Sequence, residues 1–103
     1  MEITVQQLRE KLQSGEKFLL LVVREPWEYE EFNLCGQLIP VGDIMNKMWE
    51  LEDHKESEIV IHCRSGARSG MAQGLLLANG FTNVANLKGG ILAWQEAFGS
   101  GKV

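Results

Sequence analysis

Apolar positions in this chain fall into two rhythms. "KFLLLVV" (17–23) and "EIVIH" (58–62) are short, nearly unbroken apolar runs between polar flanks. Runs of that length predict strands buried on both faces, as in a parallel sheet. "QLI", within residues 36–40, and "NVANL" predict two shorter strands. Between them the spacing turns helical. Val5, Leu8 and Leu12 follow a Thr4/Gln7 capping box, and Ser14-Gly15 closes that helix. Pro26 suits the first turn of a short helix, "PWEYEEF". "DIMNKMWELEDH" places Ile44, Met48 and Leu51 on one face, with Asp43 as N-cap. A helix from about Ser69 to Asn79 turns Met71, Leu75 and Ala78 inward and ends at Asn79-Gly80. Gly89-Gly90 leads into a last helix, "ILAWQEAF", whose Ile91, Trp94 and Phe98 are core positions.

Strands alternating with helices predict an α/β domain with a mostly parallel sheet and helices on both faces. In such sheets ligands bind outside the carboxyl ends of the strands. Cys63 directly follows a predicted strand, so it stands at that edge. The 103 residues make one domain, 1–103, the default. A net charge of −4 weighs against a nucleic-acid or acidic-membrane partner. No apolar stretch reaches transmembrane length, and the N-terminus lacks a signal-peptide pattern, so the expected location is cytoplasmic. Cys35, Cys63, His54 and His62 show no metal-ligand spacing. A disulfide is not expected in that compartment.

That leaves Cys63 as a thiol, in "CRSGARS" (63–69). The amides of residues 64–69 can curl around the sulfur as a nest. The helix that follows points its positive end at the loop. Arg64 and Arg68 add two permanent positive charges, and Ser65, Gly66, Ala67 and Ser69 keep the loop small. All of this favours the thiolate over the protonated form. A cysteine after a strand is commonly a small buried hydrophobe. The arginines, the glycine and the helix start argue for an anion-binding cup with a nucleophile at its base.

With "VREPWEYEEF" (23–32) and "GFTNVANLKGGILAW" (80–94) in the same order and spacing, the chain resembles the single-domain rhodaneses, thiosulfate-type sulfurtransferases. The resemblance implies a doubly wound sheet of about five strands. It implies that Cys63 accepts a sulfane sulfur as a persulfide and passes it to cyanide or to a thiol, on a small molecule or a protein. It implies no metal or organic cofactor. Arg64 would grip an anionic donor such as thiosulfate, Arg68 would serve loop structure as well as charge, and the amides of Ser65, Gly66, Ala67 and Arg68 would form the cradle. Related phosphatases and arsenate reductases place five residues between cysteine and arginine. Here there are four, which leaves room for one sulfur atom rather than a tetrahedral oxyanion.

Two stretches depart from that family. Val22 stands where an aspartate is usual, a change that loosens the loop, leaves a basic partner unpaired, or simply suits a buried strand. It also leaves open a non-catalytic binding or regulatory module. In "FNLCGQLIP" (32–40) Asn33 replaces a histidine and Cys35 appears, either as a resolving thiol for Cys63 or as an incidental one. Trp27, Tyr29 and Phe32 either wall the site or pack. Glu28, Glu30 and Glu31 read as a solvated helix face, or as a surface for a basic partner protein.

Overall fold

The computed structural model describes residues 1–99. Five strands, β1 (Glu2–Ile3), β2 (Leu19–Val22), β3 (Gln37–Leu38), β4 (Ile59–His62) and β5 (Val84–Leu87), form one sheet in the order β1-β5-β4-β2-β3. Every pairing is parallel. All carboxyl ends therefore lie along one edge, and β4, which carries Cys63 at its exit, is the central strand. β1 was not foreseen, because two residues carry too little pattern to register.

The sheet divides the core in two. One face packs Leu21, Ile59, Ile61 and Cys63 against α3 (Ile44–Lys47) and α4 (Ala67–Ala78). The other packs Leu20, Val60 and Leu87 against α1 (Val5–Ser14) and α5 (Gly90–Phe98). Continuous apolar runs are thus explained, since both faces of each central strand are covered. Thr4 caps α1 in a full capping box, and Gly15 ends it in the left-handed region. Ile91 and Trp94 are core, while Phe98 is half-buried, edge-on to Trp94 at 4.8 Å.

Two helices differ from their expected form. The stretch after β3 is not one α-helix: a 3₁₀ turn (Val41–Asp43) leads into the four-residue α3, and a second 3₁₀ segment (Met48–His54) follows. Lys47, at φ −115°, interrupts the helix, and the tighter winding sets Met48 over Leu51, three residues on. Asp43 makes no capping hydrogen bond through its side chain. Meanwhile α4 starts two residues early, at Ala67, and buries Ser69, Ala72 and Leu76. Met71 points outward at 67% exposure, Ala78 is exposed and Leu75 only half-buried. Small residues face the sheet there because the first turn of α4 lies close against β5: a Cβ on Gly70 would stand 3.5 Å from the Asn86 amide.

Candidate active site

Cys63 is buried at 1% exposure, and its sulfur lies inside the loop. The Gly66 amide donates to Sγ at 3.1 Å and the Ser69 amide at 3.4 Å, with the Ser69 hydroxyl also at 3.4 Å. Gly66 makes the turn possible. It sits at φ +112°, a left-handed conformation that L side chains resist. Burial pushes the Cys63 thiol up, but the Ser69 hydroxyl and the amides of Ser69, Gly66 and Ser65 outweigh it and leave the pKa below its ordinary value. The cradle is therefore formed by residues 65, 66 and 69. The amides of Ala67 and Arg68 make no hydrogen bond to Sγ.

The Ser69 hydroxyl has one proton and three neighbours. Asn86 Oδ1 is 2.5 Å away, the Gly66 carbonyl 3.2 Å and Sγ 3.4 Å. A hydroxyl proton turns about its C–O bond, so one group can serve Asn86 beside a neutral thiol and Sγ as the thiol ionises. Asn86 also donates to the Gly66 carbonyl at 3.2 Å, which ties the loop to β5.

The base of the loop is held by α5. The Ile91 and Leu92 amides, otherwise unpaired at the helix start, donate to the carbonyls of Cys63 and Arg64, both at 3.0 Å. This requires glycine at position 90, where a Cβ would lie 2.5 Å from the Arg64 carbonyl oxygen. The Gly89-Gly90 pair is thus a contact surface for the Cys63 loop.

The two arginines differ from each other. Arg68 grips Glu28 in a two-pronged ion pair, 2.7 and 2.9 Å, and its charge is largely spent there. Glu28 is not on a solvated face: it is 5% exposed, on α2 (Pro26–Glu31), and also faces Arg24 at 3.6 Å. Its Arg68 partner, with the Glu25 amide and Arg24, holds its pKa down at about 2. Arg24 in turn donates to the carbonyls of Glu28 and Phe32. Arg64 is exposed, and its guanidinium has no ion-pair or hydrogen-bond partner among the described residues.

Glu28, Arg24 and Asn86 were thus missed as site residues. Asn86 announced itself as a polar residue inside an apolar strand. Glu28 lay hidden in an acidic run, although its spacing of four from Arg24 was a signal. Of the aromatics, Trp27 is 64% exposed, Tyr29 donates to the Gly36 carbonyl at 2.8 Å, and Phe32 is half-buried beside Arg64.

Val22 is fully buried and pairs in register with His62. Burial holds His62 neutral, with its pKa down at about 4, and its Nε2 has no partner among the described residues. The Nε of Arg24 is also unpartnered. The loop itself is closed despite the valine. Cys35 is remote. Leu21 pairs with Gln37 and Val22 with His62, so Cys35 lies level with Leu19 and Cys63 level with Val23. Four residues along and two strands across separate them by about 16 Å. A disulfide needs Cα atoms within about 7 Å, so Cys35 is not a resolving thiol for Cys63 in this fold.

Among the described residues no group of three or more His, Cys, Asp or Glu could hold a metal ion, and no helix is long and apolar enough to cross a membrane. The model of the rhodanese-like domain matches residues 4–97. A sulfurtransferase of Allochromatium vinosum is 38% identical over 96 residues, covering 92% of this chain and 88% of that protein. A longer relative, a probable adenylyltransferase/sulfurtransferase of Mycobacterium tuberculosis, is 36% identical, and the match spans 91% of this chain but 24% of the relative. The crystal structure of a rhodanese-related protein from Thermoplasma volcanium superposes with a TM-score of 0.83 at 28% identity, covering 94% and 92% of the two chains. The chain belongs to the rhodanese-like domain family.

Proposed function

We propose that this protein is a sulfurtransferase in which Cys63 carries the sulfur. The observation that supports this best is the ring of donors aimed at one buried sulfur: the Gly66 and Ser69 amides and the Ser69 hydroxyl. They favour the thiolate, which is the attacking form. The thiolate attacks the outer sulfur of thiosulfate. A new S–S bond forms at Sγ, and the old one breaks with its electron pair leaving on sulfite. The Cys63 persulfide is anionic, and the loop amides of Ala67 and Arg68, which make no hydrogen bond to Sγ, remain available to it. Cyanide or a thiolate then attacks that outer sulfur and releases Sγ as thiolate again, which gives ping-pong kinetics. No metal or organic cofactor takes part. A reducing compartment such as the cytoplasm keeps the thiol free.

Arg64, unpaired among the described residues and next to Cys63, holds the anionic donor, and Arg68 holds the loop to α2. Incubation with thiosulfate should raise the mass of Cys63 by one sulfur atom, and cyanide should remove it. An unchanged mass, with no thiocyanate formed, would mean that this domain is a binding module. Arg64→Ala should raise the KM for thiosulfate with a smaller effect on kcat.

A further inference from the structure

Beside the Cys63 loop lies a cavity of about 330 Å³. Its charged walls are Arg24, Glu31 and Arg64, and its apolar walls are Phe32, Ile91 and Leu92. Its position is fixed by the α5 contacts: the Ile91 and Leu92 amides hold the carbonyls of Cys63 and Arg64. One wall is therefore bonded to the backbone of the sulfur-bearing residue.

Three groups around this space lack partners among the described residues. The Arg64 guanidinium and the Glu31 carboxylate pair neither with each other nor with any other described residue. Arg24 is 6% exposed, and its Nε has no partner, although its terminal nitrogens are used. A buried guanidinium N–H without an acceptor is costly in a folded chain. Opposite charges facing one cavity without meeting complement a ligand that carries both signs. Thiosulfate, a dianion, does not fit that pattern, because Glu31 would repel it.

We propose that this cavity binds the amino-acid head group of a small thiol that accepts the sulfur. The carboxylate of the thiol meets Arg64 over the Arg24 floor, its ammonium meets Glu31, and its carbon chain lies on Phe32 and Ile91. The inference rests on the persulfide reading above and assigns the acceptor class for that site. Donor and acceptor meet Arg64 in turn, and only the acceptor, with its ammonium, reaches Glu31. The acceptor thiolate attacks the outer sulfur, leaves with it as a persulfide and returns the electron pair of the broken S–S bond to Sγ.

The test starts from protein loaded with thiosulfate and freed of excess donor. Discharge is followed with L-cysteine, cysteamine (no carboxylate) and 3-mercaptopropionate (no ammonium). Glu31 is exposed at the end of α2, so substitution there does not threaten the fold. In Glu31→Gln the ratio of kcat/KM for L-cysteine to that for 3-mercaptopropionate should fall by about threefold to fivefold, the scale of one solvent-facing ion pair. Glu31→Lys should lower that ratio further and depress cysteamine most of all. Ratios unchanged in both variants, while the persulfide still discharges, would overturn the acceptor site alone. If wild-type Cys63 never takes up sulfur, the persulfide reading falls and the acceptor site with it.

Discussion

The two cysteines occupy opposite ends of the same sheet, and the contrast between them shows what position does to a thiol. Cys63 leaves the central strand at the carboxyl edge, where a helix begins, a glycine turns the loop and amides converge on the sulfur. Cys35 enters the edge strand at the amino side. It is exposed, at φ +64°, and its amide bonds to the Asn33 side chain. The sequence already separates them, since Arg64 and Arg68 flank Cys63 whereas Cys35 lies between Leu34 and Gly36. The strands run the same way; the difference is that Cys35 precedes its strand and Cys63 follows its own, because a parallel sheet gathers helix N-termini at one edge only.

The largest break in this comparison is exchange at the two positions. Cys63→Ser should abolish sulfur loading from thiosulfate, whereas Cys35→Ser should load at the wild-type rate, as read by intact mass. Transfer surviving in Cys63→Ser would remove the distinction between the two ends.

Next comes the ion pair that anchors the carboxyl edge. Glu28→Gln leaves Arg68 and Arg24 without their carboxylate in a buried setting, and should cost about 3 kcal/mol in denaturant unfolding. The same pair sets the acid limit. The folded Glu28 pKa of about 2 lies below the usual 4.5, so its contribution is complete above about pH 4.5 and is lost as pH falls toward 2. His62 acts earlier. Its folded pKa, about 4 against a usual 6.5, means that the unfolded chain binds the proton first, and stability drains between about pH 6.5 and 4. Unfolding free energy measured across that range should fall in two stages, and Glu28→Gln should erase the lower one.

A smaller effect tests the cradle itself. Ser69→Ala removes the hydroxyl that lowers the Cys63 pKa and leaves Asn86 Oδ1 without its donor. The pH midpoint of Cys63 alkylation should move up, and loading at pH 7 should slow by about 3-fold to 10-fold, the scale of one hydrogen bond. An unchanged midpoint would assign the lowered pKa to the amides alone. The smallest effect on transfer is expected for Val22→Asp. A carboxylate there stands in register with His62 and gives a partner to its Nε2, so the His62 titration followed by NMR should move up from about 4. Loading should stay within about twofold, since the amides already reach Sγ without it; activity appearing only in the variant would show that the valine disables the site.

Much of this was readable from residue order. The long strands, the Thr4 cap, the loop and its edge position follow from local pattern, because burial on two faces and turn chemistry leave marks within a few residues. What escaped notice depends on distant partners. Glu28 and Arg68 are forty positions apart, and nothing near either one says that they meet. Ser69 and Asn86 are joined through the sheet order, which puts β5 beside β4. The inward face of α4 escaped for a related reason: helical spacing of large apolar residues pointed to Met71 and Leu75, whereas the loop geometry places small residues, Ser69 and Ala72, against the sheet.

The three hydrogen bonds that brace the Cys63 loop come from residues made after it. The amides that brace Cys63 and Arg64 belong to residues 91 and 92, and the asparagine that braces Gly66 is residue 86. All are translated after the loop they hold. Chains are made from the N-terminus, so a nascent protein carries the Cys63 loop before the groups that brace it exist. The reactive form of the thiol is thereby a property of the completed domain, and a growing chain passes through the ribosome with an ordinary cysteine.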